Sequence, residues 1–444
     1  MNITTYRSNQ EALAALTRSG SAPEPSLPQH IVDANTEIFG EVLSAHQVVE
    51  RIVEDVRQRG DEAVRHFTAT YDGRDAGQFE VPNEEWYAAL ERIDPELRSA
   101  MELAAERIRT FHQKQKNESW FEEGSNGIFG QLLRPLERVG LYVPGGSAAL
   151  PSSLLMTAVP ARVAGVGEII VCAPPSGNAG IPDVILAAAA IAGVDRVFAI
   201  GGAQAIAAMA HGTRSVPQVD KICGPGNTFV ALAKQQVNGI VAIDSIAGPT
   251  ETLIIADDSA DLELIAADMI AQAEHDQVAS AILLTTSERL ADGVLAEIES
   301  QAAQLPRQEI ISASLAANGV IALVDSLEVA LECANAYAPE HMCLAVRDPW
   351  SLVPKVRNAG GIFVGENSPE ALGDYTAGPS HVMPTMGSAR FSSPTNVLDF
   401  QKVISLFAAS DEAMTNLGAA TIRFAQAEGL DGHAASIIRR LKRD

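Results

Sequence analysis

The spacing of apolar positions changes along this chain, and the changes divide it. From Glu41 to Arg59, Val42, Leu43, Val48, Val49, Ile52, Val53 and Val56 recur at steps of three and four, which predicts a helix with one buried stripe. Gly60 reads as its stop and Asp61 as the cap of the next helix, and helical spacing continues to Gln115. Near Val139 the pattern turns to short continuous runs. Val139-Gly140-Leu141, Glu168 to Cys172 and Val197 to Ile200 predict strands buried on both faces, with Asp183 to Ala192 a helix between the last two. The alternation returns after residue 250. Strands are expected at Thr252 to Ala256, Ala281 to Thr285, Val320 to Leu323 and Gly361 to Val364, with helices at Asp261 to Ala273 and Glu288 to Gln301. Two α/β modules of similar rhythm suggest a duplication, although no residue-level repeat is visible. Residues 1 to about 35, rich in Ser, Pro and Glu, read as an extended arm, and beyond Ser392 the chain reads as helical.

Composition narrows the function. The 444 residues are 47% apolar and only 5% aromatic, as suits closely packed strands and helices. A net charge of −24 repels phosphate backbones and anionic lipid, so nucleic-acid or membrane-surface binding is not expected. The amino terminus carries no apolar leader, and no run reaches the roughly 20 apolar residues of a membrane span. Cys172, Cys223, Cys333 and Cys343 form no C-x-x-C pair, which fits free thiols in a reducing cytoplasm.

Several segments place polar or Gly-rich chemistry inside apolar surroundings. Tyr142-Val143-Pro144-Gly145-Gly146-Ser147 follows a strand; its glycines could admit a ligand to the backbone, or it could be an ordinary turn. Gly201-Gly202-Ala203-Gln204 runs straight into a helix whose amino terminus could hold phosphate. Cys223-Gly224-Pro225-Gly226-Asn227 fixes another turn and leaves Asn227 to present an amide. No G-x-G-x-x-G dinucleotide fingerprint occurs. Gln272 and His275, three apart at a helix end, could share a metal, or His275 could cap the helix. Glu340-His341 is acid–base equipment near neutral pH, or a helix-end ion pair; Asp374 would supply a hard oxygen ligand, with His381 nearby. Glu428-Gly429-Leu430-Asp431-Gly432-His433 reads by itself as a capped turn.

The order of these segments is specific. Together with Ala247-Gly248-Pro249-Thr250-Glu251 and His381-Val382-Met383-Pro384-Thr385, they resemble the successive signatures of the histidinol dehydrogenase family, from about residue 37 to the carboxyl terminus. The resemblance implies two incomplete Rossmann-like α/β modules without the glycine fingerprint, an amino-terminal arm and a helical carboxyl-terminal tail. The expected division is an arm at 1–36, a first domain of 37–138 with 251–391 carrying the metal and catalytic residues, an NAD-binding domain at 139–250, and a dimerisation tail at 392–444. It further implies one Zn²⁺ per subunit held by Gln272, His275, Asp374 and His433. Glu340 and His341 match the acid–base pair. Tyr142, Gln204 and Asn227 match NAD contacts, and Thr250, His381 and Glu428 match positions that hold L-histidinol, alongside Gln272, His275, His341, Asp374 and His433. The family is a homodimer whose tail crosses to the neighbour, so His433 is expected to serve a second copy's site. Thr250, where Ser is frequent in the family, keeps the hydroxyl; Met342, Met386 and Gln277 replace a common Leu, a small residue and a Pro, and Met386 near His381 is the change that most bears on the substrate. The alternatives are a relative with the same machinery acting on another alcohol such as a sulfonated diol, a metal-dependent hydrolase in which Glu340 and His341 activate water only, and a non-catalytic metal scaffold.

Overall fold

The computed structural model describes residues 2–18, 27–73, 77–145, 149–176 and 180–442. Two six-stranded sheets carry the fold, with a three-stranded antiparallel sheet beside them. In the first large sheet the strands lie in the order Glu80–Val81, Arg196–Ala199, Glu168–Ala173, Arg138–Tyr142, Lys221–Cys223 and Ala242–Ile243. In the second the order is Thr4–Tyr6, Val320–Leu323, Ser280–Thr285, Glu251–Ala256, His341–Ala345 and Gly361–Val364. Leaving out the leading edge strand, both sheets place their own strands as third, second, first, fourth, fifth, all parallel. That is the Rossmann order without its sixth strand. The edge strands differ: Thr4–Tyr6 joins parallel, Glu80–Val81 antiparallel.

Why these runs become strands follows from burial on both sides. Along Glu168–Ala173, Ile169 and Val171 enter one core, and Ile170 and Cys172 the other. The helices Pro151–Ala164 and Asp183–Ala192 cover one face of the first sheet, and Gly202–His211 and Thr228–Val237 the other. Pro151–Ala164 is apolar nearly all round because it is enclosed on every side.

The segment 37–138 departs from expectation. Its helices bury Val48, Ile52 and Phe67 in one core of the first sheet, and Trp86, Met101 and Ile108 in the other. By its cores it goes with residues 139–250, and not with 251–391. Its first helix begins at Ala45, where Ser44 and Gln47 form a capping box, and Val42 stays exposed outside it. Asp61 caps nothing; it lies inside the next helix and holds Ser215 through backbone and hydroxyl. The arm is not simply extended. Thr4–Tyr6 completes the second sheet, and the helix Asn9–Leu16 puts Ala12 and Leu16 into its core. The tail keeps its helices, Asp411–Ala427 and Asp431–Leu441, but begins with a nine-residue strand, Gln401–Ala409, paired along its length with Gly127–Pro135. All four cysteines are free and buried. Among the described residues no helix is long and apolar enough to cross a membrane.

Candidate active site

At the carboxyl ends of the first sheet's strands, three loops meet. Tyr142 closes the strand Arg138–Tyr142, and its hydroxyl accepts from the Gly202 N–H at 3.1 Å. Gln204 lies in the first turn of Gly202–His211; its Nε2 is buried without a partner. Asn227 does not present its whole amide as expected: Oδ1 caps Thr228–Val237, accepting from the Phe229 and Val230 N–H groups at 3.1 Å each. All three line one cleft of ≈ 470 Å³ into which both helix amino termini open. Gly146 and Ser147 of the expected first loop lie outside the described residues.

The Gly-Pro-Gly-Asn loop is built rigidly. Gly224 has φ +114°, and a Cβ there would stand 2.1 Å from the Tyr142 carbonyl oxygen. Beneath it, Lys234 and Asp244 form a buried ion pair that grips Gly224: Nζ donates to its carbonyl at 2.9 Å, and Oδ2 accepts from its N–H at 2.7 Å. Among the described residues no cleft-lining side chain is basic, so an anionic dinucleotide would be met by helix amino termini and an unpaired amide. The donors present fit that group.

The second cluster forms at the opposite, amino, ends of the second sheet's strands. Thr250 leads into Glu251–Ala256, and His341 opens the adjacent strand, level with Thr252. The expected turn at Pro339 is real, since Ala338 ends its helix at φ +53°, but His341 already belongs to a strand. Glu340 Oε2 accepts from the Thr250 hydroxyl at 2.6 Å and the Glu251 N–H at 3.1 Å. Gln272 ends the helix Leu262–Ala273, and His275 follows it. Asp374 sits in the short helix Glu370–Tyr375, and its carbonyl accepts from His381 Nδ1 at 2.7 Å. His381 Nε2 faces Ser153 Oγ at 3.5 Å, on the first sheet's helix Pro151–Ala164, and the Ser380 hydroxyl donates to Met156 O at 3.0 Å. The carboxyl edge of one sheet therefore abuts the amino edge of the other.

Burial separates the proton affinities here. Glu340 is pushed well above the carboxylate range by burial, against its two hydrogen bonds and with help from Glu251 and Asp374. His341 is driven down to about 3, by burial first and then by His381 and His275. Burial takes His381 down to about 4, lowers His275 and lifts Asp374 to about 6. A carboxyl that keeps its proton beside an imidazole that sheds one is an acid–base pair.

For a metal, three side chains gather around the His341 neighbourhood: Gln272, with an unpaired buried Nε2, reaches it through Thr252 and Glu370, His275 acts on His341 and His381, and Asp374 holds His381. An amide oxygen, an imidazole and a carboxylate suit Zn²⁺ or Mn²⁺. Among the described residues, no three His, Cys, Asp or Glu side chains already form a metal cluster. His433 and Glu428 are exposed on the tail, and their hydrogen bonds are backbone ones within it. Within a single chain the structure does not join them to the other expected ligands. Met386 packs its sulfur over Gly248 beside the Thr250 loop and has φ +55°.

Reading the sequence missed Glu370, Thr252, Cys343 and Ser153. Glu370 had one signal, its place one helical turn before Asp374.

Known proteins resemble this chain along nearly its whole length. The histidinol dehydrogenase family pattern matches residues 40–441. The histidinol dehydrogenase of Deinococcus radiodurans is 52% identical over 434 residues, covering 97% of this chain and 98% of its own. That of Thermus thermophilus is 51% identical over 394 residues, covering 89% and 94%. The crystal structure of histidinol dehydrogenase from Elizabethkingia anophelis superposes with a TM-score of 0.90 at 35% identity, covering 99% and 98%. With that match along nearly its whole length, the chain belongs to the histidinol dehydrogenase family of oxidoreductases.

Proposed function

We propose that this protein oxidises L-histidinol through the aldehyde to L-histidine, the last steps of histidine biosynthesis, passing two hydrides to NAD⁺ with one Zn²⁺ per subunit. The observation that carries the reading is the Glu340–His341 pair, its proton affinities pushed apart, at the edge that meets the helix Pro151–Ala164 of the first sheet through His381 and Ser153.

His341, neutral at pH 7, takes the proton of the substrate hydroxyl as the hydride leaves carbon. Glu340, held by Thr250, handles the proton of the water that hydrates the aldehyde, and the hydrate loses the second hydride. The balance is one alcohol, two NAD⁺ and one water giving one carboxylate, two NADH and three protons. NAD⁺ supplies the hydride acceptor, and Tyr142, Gln204 and Asn227 would hold it. Zn²⁺ supplies a template for the substrate's nitrogens, and Gln272, His275 and Asp374 would hold it. His381, tied to Asp374, closes the pocket towards Ser153.

A homodimer completes the site in this reading. Phe407, Phe424, Phe121 and Trp120 are exposed on the tail and its sheet, an apolar surface suited to a second copy. Exchange of tails would bring the second copy's Glu428 and His433 to this cluster. Four buried thiols suit the cytoplasm.

The test is a stoichiometry. With Zn²⁺, NAD⁺ and L-histidinol, two NADH form per substrate consumed. Turnover of a sulfonated diol with none of histidinol overturns the substrate. Failure of NAD⁺ to raise the melting temperature overturns the dehydrogenase reading and favours a hydrolase.

A further inference from the structure

Among the described residues Glu370 is a buried acid without a cation. It opens the helix Glu370–Tyr375 and is 5% exposed. Gly373 fixes that helix against the strand Gly361–Val364, since a Cβ there would stand 2.6 Å from the Phe363 ring. Both Glu370 oxygens lie 2.6 Å from the Thr252 hydroxyl, and the Cys343 thiol donates to one at 3.1 Å. The remaining neighbour is His341, whose Nδ1 is 3.6 Å away. Burial holds the Glu370 carboxyl up to about 8. A leucine in this place would cost the fold less than an unpaired acid. Stability is therefore not what this side chain provides.

Two groups near it lack what it can supply. His341 has no hydrogen-bond partner on either ring nitrogen, although it is buried. A base for an alcohol needs one nitrogen protonated and fixed so that the other keeps its lone pair. Gln272 also has a problem: its Oε1 faces Thr252 Oγ1 at 3.0 Å, and its Nε2 is orphaned. Half a turn of the amide lets Nε2 donate to the Thr252 oxygen while the Thr252 proton goes to Glu370. The amide oxygen then faces the site.

We propose that Glu370 is a positioning residue for the reaction above: it accepts the Nδ1 proton of His341, which leaves Nε2 as the base, and through Thr252 it turns the Gln272 oxygen towards the metal. The inference rests on the proposed dehydrogenase reading for its chemistry, and on geometry for its contacts. Closing 3.6 Å to hydrogen-bond length is the tightening that substrate binding brings to catalytic contacts. Burial keeps the Glu370 carboxyl protonated while His341 is neutral; an imidazolium at this distance favours its ionised form, so Glu370 is placed to stabilise the charge once Nε2 has taken the alcohol proton. The titratable groups that face the pair are Cys343 from the strand of His341, Asp268 from the helix Leu262–Ala273, Asp374 from the helix of Glu370, and His275 and His381 from the loops.

The experiment compares wild type with Glu370→Gln and Glu370→Asp, loaded with Zn²⁺. In Glu370→Gln, kcat for L-histidinol falls about 100-fold, while NAD⁺ affinity and melting temperature hold. The acid limb of its pH–rate profile moves to lower pH, because an imidazole without its carboxylate is a weaker base. Glu370→Asp regains at least part of the loss. A ¹⁵N spectrum of histidine-labelled wild type, taken without substrate, shows the His341 proton on Nδ1. A proton on Nε2 there overturns the proposal without any variant, as does a Glu370→Gln enzyme with wild-type kcat and an unmoved acid limb. A wild type that binds NAD⁺ but ignores histidinol overturns the function instead, and the spectrum still decides Glu370.

Discussion

The two large sheets repeat one strand order, yet they work from opposite ends. In the first, the cleft lies past the carboxyl ends of the strands, between the first and fourth, where open α/β sheets usually bind ligands. Its parts are glycines, helix amino termini and one capping asparagine. In the second, Thr250, Glu340 and His341 precede or open their strands, and Gln272 and His275 come from a helix end on that same amino side. Its parts are buried side chains with displaced proton affinities. The lesson is that the frame fixes where loops can be held, and the residues decide whether backbone or side chains do the work. Recognition of a large anion needs shape and oriented N–H groups; moving protons needs ionisable groups kept out of water.

This contrast can be broken by substitution. The largest effect should come from the side-chain edge: His341→Asn lowers kcat about 10²- to 10⁴-fold and leaves NAD⁺ affinity unchanged, measured by steady-state kinetics and calorimetry. Equal losses in both would deny the separation. A smaller effect is expected from the backbone edge. Gly224→Ala strains a left-handed residue against the Tyr142 carbonyl; it should cost about 1–3 kcal/mol of stability and weaken NAD⁺ binding about tenfold, with kcat at saturation little changed. Unaltered NAD⁺ affinity would remove that loop from the cofactor site. The smallest is Asn227→Ala, which loses a helix cap worth about 1 kcal/mol, read from urea unfolding, and weakens NAD⁺ binding less than Gly224→Ala does. A loss of kcat there would mean that Asn227 touches the reacting atoms.

Much of this was legible in the amino-acid order, for a reason. Strands such as Glu168–Ala173 and Ser280–Thr285 are buried on both faces, so they read as unbroken β-branched runs. His341–Ala345 is buried too, but it starts with the polar pair Glu340-His341 after Pro339 and so reads as a turn. Gln401–Ala409 has no buried residue and Gly127–Pro135 only Gly130, and with residues of mixed character they give no clean period. The helices of residues 45–113 were legible as helices. Which sheet they cover was not, because a helix stripe does not name its partner. At the site, the motif order pointed to Glu340, His341, Gln272, His275 and Asp374 together. Glu370 stayed hidden because an acid after a proline at a helix start is ordinary capping chemistry.

The edge strand Thr4–Tyr6 bears on how the molecule is made. Asn9 and Asp325 exchange hydrogen bonds across 316 positions, so an early segment docks on a sheet whose other strands are synthesised much later, from residues 251–364. The first sheet draws all its strands from residues 80–243 and can assemble while the ribosome is still at work. The second must wait for late segments to meet an early one, which makes it the slower partner in folding. A bulky extension fused ahead of Met1 would weigh on that last docking step, whereas the first sheet would not register it.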